Sequence, residues 1–66
     1  MSQQNAPGDA TAYVGLPADE AEVRARADGW QTVRRLPKDA IVTMEFMPGR
    51  LNLTVEDGAV TRAWIG

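Results

Sequence analysis

The most regular pattern in the chain is the alternation Arg50-Leu51-Asn52-Leu53-Thr54-Val55, which puts Leu51, Leu53 and Val55 on one side of an extended segment and Arg50, Asn52 and Thr54 on the other. It predicts a half-buried strand. Glu56-Asp57-Gly58 is a tight-turn signal, and Val60-Thr61-Arg62-Ala63-Trp64-Ile65 follows as the second arm of a hairpin. Upstream, Trp30-Gln31-Thr32-Val33-Arg34-Arg35-Leu36 has strand-like content and is closed by Pro37, which has no N–H for a ladder.

A helical pattern precedes these strands. Pro17 is tolerated in a first turn, and Asp19, Glu20 and Glu22 place negative charge near the positive end of the helix dipole. Glu20 with Arg24 and Glu22 with Arg26 are i,i+4 pairs in the favourable order, and Gly29 supplies the left-handed residue that commonly closes a helix. The expected helix spans residues 17–28. Ala18, Ala21 and Ala25 share one side with Leu16 ahead of them, Val23 lies on a flank, and such small residues let a helix lie close to a sheet.

Residues 1–12 are rich in Ser, Gln, Asn, Gly, Pro, Asp and Ala and read as a disordered tail, so the expected domain spans residues 13–66. The predicted fold is α+β, a single helix packed on a small mixed β-sheet. Residues 37–49 form a connection long enough to bring the second strand parallel to the first. Within it, Ile41-Val42-Thr43-Met44-Glu45-Phe46-Met47 is apolar and extended in character and ends at the turn signal Pro48-Gly49. From pattern alone this stretch fits either a further core strand or an exposed extended loop.

Composition narrows what such a domain can do. With 66 residues only one thin core can form, and with no Cys and no His the chain is disulfide-free and lacks thiolate and imidazole sites. The only serine is Ser2 in the tail, and neither a glycine-rich phosphate loop nor a convincing carboxylate pair is present, so the expectation is a non-enzyme without metal or cofactor. Seven Lys/Arg against nine Asp/Glu give a formal charge of −2, which disfavours nucleic acid and acidic membranes as partners. Arg34-Arg35 then reads as a solvated strand face, and Trp30 as a structural residue, with Trp64 open. No apolar run approaches the roughly 18 residues of a membrane span, and the start lacks the basic and apolar regions of a secretory signal. A monomer is expected, with cytoplasmic and extracellular locations both open.

The ambiguous stretch carries a resemblance. Ile41-Val42-Thr43-Met44-Glu45-Phe46, then Arg50-Leu51 and the final Gly66, resembles the reactive-loop region of the potato inhibitor I family of serine protease inhibitors. Tyr13-Val14-Gly15 followed by an acidic, Ala-containing helix start is similar to that family's opening. The likeness covers residues 13–66, with residues 24–38 matching poorly. Arg50-Leu51-Asn52 and Val60-Thr61-Arg62 look closer still to a bacterial branch of small peptidase inhibitors, in which cysteines near both ends are common and here are missing.

The resemblance implies an exposed extended reactive loop between two parallel strands. It also implies a serine protease of the subtilisin or chymotrypsin class as partner, bound in the manner of a substrate. Family correspondence places the scissile bond at Met44-Glu45, with Val42, Thr43, Met44, Glu45 and Phe46 as protease-binding residues. Met44 suits a large apolar specificity pocket because it is unbranched and polarisable. In the family, Thr43 and Glu45 are clamped from beneath by two arginines. Arg50 matches the first, Asn52 stands in place of the second, and Gly66 is a further support. The alternative implied by the same fold is a non-inhibitory protein-interaction module that uses this segment as an adhesive surface.

Overall fold

The computed structural model describes residues 9–40 and 46–66. Its helix, α1, spans Ala18–Ala27, with Pro17 as N-cap at φ −56° and Asp19 and Glu20 in the first turn. Both anticipated pairs form, Arg24 with Glu20 at 3.2 Å and Arg26 with Glu22 at 3.0 Å. At the other end, the Gly29 N–H donates to the Arg26 carbonyl at 3.2 Å and the Trp30 N–H to the Ala25 carbonyl at 3.1 Å. This double closure requires a left-handed residue between the two, and Gly29 supplies it at φ 105°. It also turns Trp30 back under the helix, where it joins Ala25 in the core.

Three strands follow: β1 at Thr32–Pro37, β2 at Arg50–Glu56 and β3 at Ala59–Ile65. They form one mixed sheet in the order β1-β2-β3, with β1 parallel to β2 and β2 antiparallel to β3. The hairpin closes through Asp57 at φ 52° and Gly58 at φ 82°, two left-handed residues whose twist matches that of the strands they join. A register shift between Thr54 and Val55 sets Val55 opposite Val60.

The core lies between α1 and one face of the sheet. Ala21 and Ala25 meet Leu51, Leu53 and Val60, flanked by Tyr13 and Trp30, with Leu16 and Val33 packed against the cluster. The alanine stripe is what permits the close approach. Val23, on the expected flank, is 70% exposed. Among the described residues no helix is long and apolar enough to cross a membrane.

Two details depart from the sequence reading. Ala10–Tyr13, most of it in the span expected as tail, forms a 3-10 turn whose Ala10 and Tyr13 are buried. Asp9 starts the turn by accepting the Thr11 N–H at 2.9 Å and the Thr11 hydroxyl at 2.8 Å, bonds that hold its carboxyl below the usual carboxylate range. The second departure concerns β2, which is buried on both sides and not on one. Arg50, Asn52 and Thr54 are 6%, 0% and 8% exposed. As the central strand, β2 has a neighbour on each edge, and at its own register Arg34 on one side and Trp64 and Arg62 on the other carry large side chains.

Candidate functional site

Of the residues singled out from the sequence, Val42, Thr43, Met44 and Glu45 lie outside those described. The chain resumes at Phe46, which is 66% exposed, next to the exposed Met47. The described part of the site is therefore the base to which the loop is joined: Phe46, Arg50, Asn52 and Gly66.

The strand pairing explains why a long connection exists at all. Pro37 pairs with Val55 and Thr32 with Arg50, so the chain leaves β1 at one end of the sheet and must enter β2 at the other. Six residues of strand correspond to about 20 Å. Residues 38–49 make that return. The arrival is anchored by backbone bonds, with the Arg50 N–H donating to the Met47 carbonyl at 3.0 Å and the Thr32 N–H to the Gly49 carbonyl at 3.3 Å.

Arg50 and Gly66 hold each other twice. The Gly66 N–H donates to the Arg50 carbonyl at 3.0 Å, and the Arg50 Nε donates to the Gly66 carbonyl oxygen at 2.8 Å. The Phe46 ring lies flush on the same glycine, so close that a Cβ there would stand 3.0 Å from the ring Cδ1 and 3.2 Å from Cε1. The last ring of the candidate segment thus rests on the residue that Arg50 grips. Of the expected supports, Arg50 and Gly66 are brought together directly.

Asn52 sits one step along the same face. Its Oδ1 accepts from the Arg34 Nε at 2.8 Å, and its Nδ2 donates to the Trp64 carbonyl at 3.4 Å. The guanidinium of Arg62 stands 4.8 Å from the centre of the Trp64 ring, a cation–π contact within β3. The row Arg34-Asn52-Trp64 crosses all three strands.

Arg34 and Arg35 do not form one solvated face: Arg35 is exposed and Arg34 half-buried, on opposite sides of the sheet. Consecutive strand residues point to opposite sides, so Arg34 joins Asn52 while Arg35 reaches the helix, 2.7 Å from Asp19 and 2.9 Å from Glu22. That double pairing, with Asp19 contributing most, raises the Arg35 pKa, and Arg26 and then Arg35 hold the Glu22 carboxyl below its usual range. The split between the two arginines was available from strand alternation. The alignment of Arg34 with Asn52 was not, because it depends on the register of two strands far apart in sequence, and Phe46 on Gly66 left no sequence signal either.

Chemically, this surface offers fixed hydrogen-bond donors and apolar contact, with Trp30 serving only the core, where its Nε1 donates to the Tyr13 hydroxyl at 3.2 Å. Among the described residues, no group of three or more His, Cys, Asp or Glu is placed to hold a metal ion. Comparison with known proteins gives a family model described as the peptidase inhibitor I78 family, which matches residues 7–66. That description specifies peptidase inhibition without a protease class, and it is not potato inhibitor I specifically. No curated protein and no solved structure matches the chain.

Proposed function

The chain belongs to the peptidase inhibitor I78 family, and from that premise we propose that it inhibits serine proteases of the subtilisin or chymotrypsin class through residues 42–46. Met44 enters the primary specificity pocket, and Met44-Glu45 is the bond presented for cleavage. The observation that supports this reading best is the anchoring at the loop's return: Phe46 against Gly66, and Gly66 bonded twice to the buried Arg50.

Anchoring matters because the affinity of a substrate-like loop depends on its freedom before docking. Fixing one backbone residue costs roughly 1–2 kcal/mol, so ordering a free segment of five residues on the protease would cost on the order of 5–10 kcal/mol. A loop already held by its base meets that cost on folding, and the interaction energy then appears as affinity. Nanomolar inhibition corresponds to about −12 kcal/mol, within reach of a protease–inhibitor interface of standard size. The same anchoring keeps the two new ends in place if the bond is cut, which favours rejoining over release.

The test is a titration of subtilisin and of chymotrypsin with the purified protein, read by a chromogenic peptide. Stoichiometric loss of activity is expected, and Met44→Lys should move the preference toward trypsin-like enzymes. An inert protein, or one degraded without inhibition, overturns the serine-protease reading and favours an interaction module of the same fold.

A further inference from the structure

Cations are used differently on the two sides of the sheet. Toward the helix, Arg24, Arg26 and Arg35 each face a carboxylate at 3.2 Å or closer. On the side away from α1, Arg62 has no carboxylate partner among the described residues, and its guanidinium lies over the Trp64 ring. Glu56, at the end of β2, accepts instead from the Thr61 hydroxyl at 2.6 Å. Arg62 is exposed and Trp64 half-buried. An aromatic face orients a guanidinium without cancelling its charge, so Arg62 is held in place with that charge available to a partner.

This pair adjoins the candidate inhibitory segment. Trp64 is two residues beyond Arg62 on β3, and Gly66, two further, carries the Phe46 ring. From Arg62 to Gly66 the strip is about 14 Å long. Phe46, 66% exposed, is the described end of residues 42–46. Those five residues are too few for an interface of standard size, which engages about 20–30 residues on each side. A protease seated on Phe46 must therefore extend onto neighbouring surface, and this strip offers it a cation.

We propose that Arg62, oriented by Trp64, is a second contact between this protein and its protease, and that it selects enzymes with carboxylates beside the part of the cleft that receives Phe46. A charge at the rim of an interface governs how fast the complex forms more than how slowly it parts. This role for Arg62 rests on the inhibitor reading, in which Phe46 touches the enzyme.

The experiment measures association and dissociation rates of the full chain with subtilisin and with chymotrypsin, in about 10 mM and about 1 M salt, where the Debye length is roughly 30 Å and 3 Å. With at least one of the two enzymes, Arg62→Gln should slow association about fivefold in low salt, change dissociation by less than about twofold, and show no difference in high salt. Arg62→Glu should slow association further, and Arg62→Lys should recover most of the rate. Arg24→Gln removes the same charge from the helix side and should leave the rate within about twofold of the natural chain. Equal slowing by Arg62→Gln and Arg24→Gln would mean that only net charge matters. Rates indifferent to Arg62 with both enzymes would mean that the strip is not touched, and faster association of Arg62→Glu would place a basic surface there. Each of these results overturns the Arg62 contact and leaves the inhibitor reading standing. If the natural chain inhibits neither enzyme, the two fall together.

Discussion

The two faces of the sheet are built on opposite principles. On the helix side, alanines let α1 settle onto Leu51, Leu53 and Val60, and charged residues stay at the margin, paired across exposed positions such as Glu20 with Arg24 and Glu22 with Arg26. On the other side the strand centre is polar yet equally buried, and Arg50, Asn52, Trp64 and Gly66 are joined by directed bonds. Apolar packing is non-directional and decides whether the chain folds. Directed bonds fix where atoms sit, which is what a surface that presents a loop requires.

Truncation on the first face should have the larger effect. Leu53 is fully buried in the cluster, so Leu53→Ala is expected to cost roughly 2–5 kcal/mol in denaturant unfolding, enough to leave a chain of this size largely unfolded. Arg50→Ala removes a charged donor to the Gly66 carbonyl, and the expected loss is roughly 1.5–3 kcal/mol. The contrast is sharpened by a second readout. Arg50→Ala should speed digestion inside residues 38–49 beyond what its stability loss explains, whereas a mild core variant such as Val60→Ala should not. Equal acceleration in both would mean that the polar face contributes only stability.

The sequence exposes the first face more fully than the second, for a physical reason. Helix spacing, the Gly29 stop, the Asp57-Gly58 turn and the Leu51-Leu53 alternation are local signals, each read from residues a few positions apart. The parallel order of the first two strands followed from the length of their connection. What alternation cannot report is whether a polar strand face is wet. The polarity of Arg50, Asn52 and Thr54 suggested solvent, but their burial depends on large partners on β1 and β3, and so on register. For the candidate site, Arg50 and Gly66 were legible as a supporting pair only through family wording. The Arg34–Asn52 bond was hidden because it depends on the register of two strands far apart in sequence.

The helix-side core also holds a small polar knot. The Tyr13 hydroxyl donates to Asp28 at 2.5 Å and accepts from Trp30 Nε1, tying the 3-10 turn to the end of α1 and to the core. Tyr13→Phe leaves the packing and strands the buried indole N–H, at an expected cost of roughly 1–2 kcal/mol by urea unfolding. Burial first, and then the Asp28 carboxylate, raise the Tyr13 pKa above its ordinary 10.0. The folded state therefore resists ionisation, so this contribution is intact below pH 10 and is lost as pH rises through the higher folded value. Alkaline melting curves should begin a steeper decline above about pH 10 for the natural chain and less so for Tyr13→Phe.

The smallest effect belongs to the exposed pairs on the helix side. Arg26 and then Arg35 hold the Glu22 carboxyl below its ordinary value of 4.5, so the unfolded chain takes up the proton first as pH falls. Glu22 thus contributes stability that is complete well above pH 4.5 and disappears as pH drops through the lower folded value. Glu22→Gln removes that dependence. Its melting temperature should lie slightly below that of the natural chain at pH 7, and the two curves should converge toward pH 3. The offset should shrink in added salt, because the pairs are open to solvent. Convergence alone would not separate this side from the other, but the salt response does: the Arg50–Gly66 bond is buried, and the stability difference for Arg50→Ala should be far less sensitive to salt. If both differences fell together with salt, the polar face would be as wet as its composition suggests, and the distinction between a packed face and a directed one would fail.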